Sequence, residues 1–319
     1  RVSPATQSLA GIAPSTRLAS GAIASVINGD GSFEVTYQSV FDTYSHYFTG
    51  SFDRELPIGP GISMTLTAPT DVINSSWGYS DPSGADSLTT AIDALAAANS
   101  LTTAVFATGN NSVTVGGPAS GYNAIAVGAS GDGSGLDYTS VATFSNGGPL
   151  GVSYTSGGTT VDIPNARAGV TLVAPGQNIV APYTTTDSTA YHDLSGTSFA
   201  APAVAGGIAL MKSASYLTGM GDEGRDTRVI KAALMASATQ LPGWDNGQYV
   251  SDGVIVTTQA VDYHQGAGQL DLATALEVHT GAYLPGADGT ADVGGAAGGV
   301  VDRRGWDFAS LAAVGASND

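Results

Sequence analysis

The chain has 319 residues, and its 27 acidic residues against 10 basic ones leave a formal net charge of −17. This charge argues against nucleic acid and anionic membrane surfaces as partners, because both repel an acidic protein. The absence of cysteine excludes a disulfide framework and a thiol nucleophile, and without a run of about 18 apolar residues no membrane span is predicted. At this length, with 42% hydrophobic residues, we expect a globular protein with a substantial core.

The first part of the chain predicts one extended segment and one helix among loops. Residues 18–27 follow a turn and are expected to be extended, whereas residues 39–48 predict a short helix with its aromatic side chains on one face. This helix contains His46, which we interpret as an ordinary packing or surface residue. Residues 49–70 hold several Gly and Pro residues and predict turns and loop.

Strand, helix and strand then alternate, as is typical of a parallel α/β sheet. An apolar strand from residue 71 ends in Ser76, Trp77 and Gly78. Residues 87–98 have apolar positions at a helical period, and Ser87 is the expected N-cap. A β-branched strand over residues 102–107 runs into Thr108, Gly109 and Asn110.

The stretch before residue 196 predicts a hairpin and further strands. Residues 149–168 alternate polar and apolar side chains about two glycines, which favours a β-hairpin, and strands are expected at residues 170–176 and 179–183. His192 and Asp193 lie within seven residues of Ser198. Adjacent residues of an extended segment point to opposite sides, so we do not interpret these residues as a catalytic triad.

Ser198 lies where a long run of small residues begins, which predicts a closely packed helix. A helix N-terminus offers free N–H donors and a positive dipole end, and both favour developing negative charge. That is a suitable place for a serine nucleophile. We expect Pro202 to fall in the first turn of this helix, where its missing N–H costs little.

The last part of the chain predicts a helix over residues 225–238 and a closing segment over residues 265–276. His264 and His279 flank this closing segment and are expected to be exposed. From residue 280 onward Gly and Ala dominate, which is typical of a linker.

Residues 196–202 match every fixed position of G-T-S-x-A-x-P, and in this they resemble the active-site serine motif of the subtilisin-like serine proteases, the subtilases. Asn110 ends a segment similar to the family's A-x-G-N motif. The resemblance continues through further segments in the family's order, namely residues 11–18, 71–78, 118–129, 144–148, 170–176, 225–238 and 265–276.

The resemblance implies a subtilisin-like α/β fold, with a mostly parallel twisted sheet and helices on both faces. It implies an endopeptidase that acts on polypeptides through an acyl-enzyme, with Ser198 as nucleophile and Asn110 in the oxyanion hole. The residues implied to bind substrate are Ser76, Trp77, Gly78, Ala107, Thr108 and Gly109. No cofactor is required, although structural calcium suits an Asp-rich chain and residues 131–137 are a weak candidate loop. An Asp-rich, Lys-poor composition also favours a secreted or cell-surface protein.

The family's Asp and His motifs are missing from this sequence. None of the four histidines is followed by Gly-Thr, and Asp30 comes too late in the order to be the catalytic acid. We therefore interpret residues 1–277 as a peptidase domain without its N-terminal Asp/His segment, and residues 278–319 as a linker or the start of a further module.

Three explanations remain open. The base and acid lie on a companion N-terminal fragment that stays bound, or the natural protein is longer, or the chain is a non-catalytic surface or scaffold module. Without a base, a serine hydroxyl is a poor nucleophile, and this chain alone is expected to be inactive or nearly so.

Overall fold

The computed structural model describes residues 11–28, 32–50, 52–55, 63–66, 68–132, 137–183 and 191–281. Its helices are α1 (Tyr37–Thr49), α2 (Ser87–Ala98), α3 (Thr197–Thr218), α4 (Thr227–Ser237) and α5 (Leu272–Thr280), with a short 3₁₀ helix at Glu223–Arg225. Its strands are β1 (Ala24–Ile27), β2 (Phe33–Val35), β3 (Phe52–Glu55), β4 (Ser63–Leu66), β5 (Val72–Ser75), β6 (Thr103–Ala107), β7 (Ile125–Ser130), β8 (Leu150–Ser156), β9 (Thr159–Arg167), β10 (Leu172–Pro175), β11 (Ile179–Pro182), β12 (Tyr191–Leu194), β13 (Gln248–Ser251) and β14 (Val254–Thr257).

A four-stranded parallel sheet lies at the centre, in the order β10-β7-β6-β5. Every residue of β6 is buried, because a parallel sheet is normally covered on both faces. Alternate residues of β6 belong to different cores. Val105 and Ala107 pack in the core that includes α3, α4 and α5, while Ala104 and Phe106 pack with α1 and α2. The expectation of a mostly parallel sheet with helices on both faces is confirmed.

Helix α1 shows why the aromatic residues of this stretch lie on one face. Val40, Tyr44 and Phe48 are four residues apart and are all buried, so one stripe of the helix faces the core. Thr36 caps the helix in a reciprocal arrangement with Ser39. The hairpin of β8 and β9 is also as predicted, with Gly157 and Gly158 both at positive φ in its two-residue turn.

Some local expectations were wrong. The N-cap of α2 is Asp86 rather than Ser87, because Asp86 has extended backbone angles and its side chain accepts a hydrogen bond from the Leu88 N–H. Residues 49–70 contain the antiparallel pair β3 and β4 in addition to loop. The division of the chain itself stays a prediction, since residues 282–319 lie outside the described range.

Helix α3 positions the candidate site. It packs across β5, β6, β7 and β10 and buries a row of residues that includes Ala200, Val204, Ile208 and Met211. Its N-terminus lies at the carboxyl ends of β5 and β6. None of the helices in the described ranges is long and apolar enough to cross a membrane.

Candidate active site

Three separate parts of the chain meet at the N-terminus of α3. Ser76 follows β5, Asn110 follows β6, and Ser198 is the second residue of the helix. The Ser76 hydroxyl donates to the carbonyl oxygen of Ser198 at 3.0 Å, and the Thr197 N–H donates to Oδ1 of Asn110 at 2.8 Å. The fold therefore brings the serine motif and the Gly-Asn motif together.

The orientation of the Asn110 amide is determined by its partners. Oδ1 accepts from the Thr197 N–H at 2.8 Å and pairs with the Thr197 hydroxyl at 2.9 Å. That hydroxyl accepts from the Gly109 N–H at 3.2 Å, which leaves its own proton for Asn110. Because the oxygen of the amide faces two donors, the Nδ2 group is directed away from Thr197.

Two N–H donors remain without an acceptor among the described residues, namely Nδ2 of Asn110 and the backbone N–H of Ser198. The Ser198 N–H lies in the first turn of α3, so it has no intrahelical partner. Gly196 keeps the space next to the amide open, because a Cβ there would lie 3.3 Å from Nδ2 of Asn110. Two free donors beside a serine at the positive end of a helix are suited to hold an oxyanion.

Pro202 lies in the second turn of α3 and not in the first, so this expectation was wrong. The helix begins at Thr197, and at its sixth residue an N–H would normally bond to the carbonyl four residues earlier. Proline has no N–H, so the Ser198 carbonyl lacks that helical partner. Ser76 supplies the missing donor, and the end of β5 is thereby joined to the serine-bearing turn.

Trp77 lies in an aromatic cluster with Tyr44 and Tyr79. Its indole N–H donates to the Tyr44 hydroxyl at 3.1 Å, and its ring stacks on Tyr79 with centroids 6.2 Å apart. The Tyr44 hydroxyl also pairs with Ser75, and burial raises the pKa of Tyr44 above its ordinary value. The half-buried Trp77 thus has a packing role in the described structure.

The other predicted substrate-binding residues differ in exposure. Ser76 and Gly78 are exposed, Gly109 is half-buried, and Ala107 and Thr108 are buried. A Cβ on Gly78 would lie 3.0 Å from the Gly117 carbonyl oxygen, so this position favours glycine. The substrate-binding role of these residues stays a prediction.

The described structure brings no histidine to Ser198. His192 is exposed on β12, and its ring meets that of Tyr183 edge-on with the centroids 5.1 Å apart. The exposed His264 lies beside Gly147. His46 lies within α1. Among the described residues, no base hydrogen-bonds to the Ser198 hydroxyl.

His279 was expected to be exposed, yet it is fully buried. Helix α5 packs against α3, and Nε2 of His279 lies 2.8 Å from the Ser215 hydroxyl. Burial lowers the pKa of His279 to about 4, because the charged form is poorly solvated there. Within the described ranges no three His, Asp or Glu residues are grouped as metal ligands, and residues 133–136 of the candidate calcium loop fall outside those ranges.

Thr197 belongs to the serine motif, yet no role was predicted for it. Its N–H and hydroxyl both hold the Asn110 amide. The only signal in the sequence was the position of Thr197 next to Ser198, since its partner lies 87 residues earlier.

The family model described as the subtilase family, peptidase S8, matches residues 5–268. The chain belongs to the subtilase family. This subtilase chain therefore belongs to a family of serine peptidases that act on polypeptides, as the resemblance implied. No curated protein matches it.

Solved structures of several proteases are similar to this subtilase chain in fold. The prenylagaramide maturation protease PagA is 23% identical with a TM-score of 0.51, over 80% of this chain and 71% of that one. The patellamide maturation protease PatA is 24% identical with a TM-score of 0.52, over 80% and 73%. A protease from Pseudoalteromonas arctica PAMC 21717 is 22% identical with a TM-score of 0.51, over 77% and 59%.

Proposed function

We propose that the chain is the nucleophile-bearing part of a subtilisin-type serine endopeptidase. Ser198 is the nucleophile, and the Asn110 side chain and the Ser198 N–H form the oxyanion hole. The observation that carries this proposal is the pair of hydrogen bonds from Thr197 to Oδ1 of Asn110. They turn the amide so that its N–H donors are free beside the serine.

The proposed reaction is acyl transfer through a covalent intermediate. Ser198 Oγ bonds to the peptide carbonyl carbon while its proton passes to a base, and the carbonyl oxygen becomes negative. The two N–H donors stabilise that oxygen. Collapse of the intermediate breaks the C–N bond and returns the proton to the leaving amine, and water then hydrolyses the ester by the same route.

The base and its orienting acid are proposed to come from a segment outside these 319 residues. This part of the proposal is supported by the surroundings of Ser198, where no described histidine makes contact. The edge of the central sheet offers a place for such a segment. In the described sheet β5 pairs only with β6, so backbone groups on the other side of β5, beside Ser76, can accept another strand.

The same motif residues are proposed to bind the substrate. An extended peptide would lie along Ser76, Trp77 and Gly78, with Ala107, Thr108 and Gly109 forming the wall of the pocket. The exposure of Ser76 and Gly78 supports contact with a peptide backbone. We also propose that the protease acts outside the cell or at its surface, which fractionation followed by detection of the chain would test.

Labelling with a fluorophosphonate probe tests the proposed nucleophile. The probe should modify Ser198, located by peptide mapping, when a fragment carrying a His-Gly-Thr motif is bound, and should modify it weakly or not at all on the chain alone. No labelling of the bound pair would overturn the enzyme assignment and favour the non-catalytic scaffold. Labelling of another serine would overturn the assignment to Ser198 alone.

A further inference from the structure

Asn146 lies in the segment between β7 and β8, beside the loop that carries Asn110. Its side chain is buried, with only 6% of the residue exposed. The polar atoms of a buried amide need hydrogen-bond partners, because each buried polar group without one reduces stability by about 1–3 kcal/mol. The partners of Asn146 therefore indicate what the residue is for.

Those partners lie on both sides of Asn110. Oδ1 of Asn146 accepts from the Asn111 N–H at 2.9 Å and from the Val113 N–H at 3.2 Å. The backbone N–H of Asn146 donates to the Gly109 carbonyl oxygen at 3.0 Å. One residue thus holds the backbone just before and just after the proposed oxyanion donor.

Close packing at Gly109 strengthens this hold. Gly109 has φ +107°, and a Cβ there would lie 2.4 Å from Nδ2 of Asn146. The backbone at this position is left-handed and lies directly against the Asn146 amide, so only glycine fits without displacing it. The loop cannot shift toward Asn146, and its hydrogen bonds prevent it from shifting away.

We infer that Asn146 is a positioning residue for the Asn110 oxyanion donor. Thr197 holds the oxygen of the Asn110 side chain, and Asn146 holds the backbone on which that side chain is mounted. This inference rests on the proposed role of Asn110. Asn146 acts through Asn110, and its removal should affect the transition state more than substrate binding.

Kinetics of peptide hydrolysis by the active protease, with its base-bearing segment present, test the inference. Asn146→Ala should lower kcat about 10- to 100-fold, because small displacements of a catalytic group are costly, and should change KM less than about threefold. In an Asn110→Ala background the same substitution should cause little further loss. The matched control is Asn123→Ala, which removes an exposed amide that donates to Asp93 near the amino end of β7 and not to the Asn110 loop, and which should leave kcat within about threefold.

Hydrogen exchange gives a readout that does not depend on activity. The amides of Asn111 and Val113 should exchange faster in Asn146→Ala, and Asn146→Asp, which keeps an acceptor oxygen, should restore their protection. Unchanged exchange in Asn146→Ala, or equal losses of kcat with and without Asn110, would overturn the positioning role. If Asn110→Ala leaves kcat unchanged, the oxyanion assignment fails and this inference with it, whereas labelling of Ser198 decides the nucleophile separately.

Discussion

The polar groups near the two ends of α3 differ in whether they have hydrogen-bond partners. At the N-terminal end, the N–H of Ser198 and the Nδ2 group of Asn110 have no acceptor within the described residues. Toward the other end, the fully buried Lys212 donates to the carbonyl oxygens of Asp71 at 2.7 Å and Leu101 at 2.6 Å. These carbonyls precede β5 and β6, so Lys212 joins the helix to the amino ends of the same two strands that carry the site.

Under the proposed function, this difference separates groups that are available for catalysis from groups that stabilise the fold. Unpaired donors at an open helix end are available to a reacting oxygen. Paired groups in the interior stabilise only the fold. The buried ammonium group of Lys212 is tolerated because it donates hydrogen bonds to two carbonyl oxygens. Desolvation still lowers the pKa of Lys212 to about 7. Substitutions at the two ends should therefore have separable effects on catalysis and on stability.

The largest effect is expected at Ser198, the proposed nucleophile. Ser198→Ala should lower kcat at least about 10⁴-fold, because the residue that forms the acyl-enzyme is lost, while the thermal midpoint stays almost unchanged. Ser213 lies on the exposed side of the same helix, so Ser213→Ala is the matched control and should keep full activity. Peptide hydrolysis with the base-bearing segment present measures both. A fully active Ser198→Ala variant would show that the chemistry takes place elsewhere.

Asn110→Ala should lower kcat about 10²- to 10³-fold with little change in KM, because a proposed oxyanion donor is removed. Thr197 would also lose the acceptor of its N–H, which should reduce the free energy of unfolding by about 1 kcal/mol. The neighbouring Asn111 is exposed, and its side chain makes no described hydrogen bond. Asn111→Ala should therefore keep kcat within about threefold. Equal losses for the two variants would contradict the assigned donor.

At the opposite end of the sheet, Lys212→Met should leave kcat unchanged and reduce the free energy of unfolding by about 2 kcal/mol near pH 7. The Leu101 carbonyl would lose its described donor, whereas the Asp71 carbonyl would keep its bond from the Thr103 N–H at 3.0 Å. We expect the loss of these two hydrogen bonds to outweigh the desolvation cost that the uncharged methionine avoids. The pKa of Lys212 is about 7 in the folded chain and near 10.5 when unfolded. Because the unfolded chain binds more protons between these values, wild-type stability attributable to Lys212 should rise with pH from 7 to 9.

Denaturant titrations at several pH values measure both effects of Lys212→Met. The difference between wild type and variant should grow as pH rises. A variant more stable than wild type at every pH would mean that desolvation of the lysine dominates over its two hydrogen bonds.

His279 should make the fold sensitive to acid. Its pKa is about 4 in the folded chain against an ordinary value of 6.5, so the unfolded chain binds the extra proton first as pH falls. Stability should therefore decrease between pH 6.5 and 4, by at most about 3 kcal/mol from this residue. Melting curves should show a shallower acid slope for His279→Gln than for the wild type, and an unchanged slope would contradict this role of His279.

The smallest effect concerns the Ser198 carbonyl. Ser76→Ala should reduce the free energy of unfolding by about 1 kcal/mol or less, because the carbonyl lies near solvent and water can replace the lost donor. Pro202→Ala gives the helix an N–H that can reach the same carbonyl. In that background the loss from Ser76→Ala should become smaller, and a double-mutant cycle measures the coupling. Full additivity would show that Pro202 and Ser76 act independently.

Much of the fold could be predicted because its signals are local. The period of apolar residues located α2, and α1 was placed within two residues at each end. Two glycines predicted the turn between β8 and β9. The cap of α2 was missed because two adjacent polar residues both suit that role. Asp86 is distinguished from Ser87 by its backbone angles and by the hydrogen bond that its side chain accepts from the Leu88 N–H.

The candidate site was predicted as a set of motifs, and its internal contacts were not. Asn110 and Ser198 were chosen from family patterns, whereas the roles of Thr197 and Asn146 appeared only with the structure. Each hydrogen-bonds to a partner more than 30 residues away in the sequence, and no local sequence pattern predicts such a contact. The burial of His279 has the same origin, since it depends on how α5 packs against α3.

The sequence by itself determined that this protein is a subtilase with a serine at the start of a small-residue helix. The order of motifs and the alternation of strands and helices are properties of neighbouring residues, which a linear reading can detect. Only the tertiary structure decided how that serine is surrounded. Because α3 crosses the parallel strands, Thr197 lies within hydrogen-bonding distance of Asn110. Because Pro202 has no N–H, the Ser198 carbonyl accepts its hydrogen bond from the Ser76 hydroxyl. These contacts arise from the packing of distant segments, and the free donors beside Ser198 are their result.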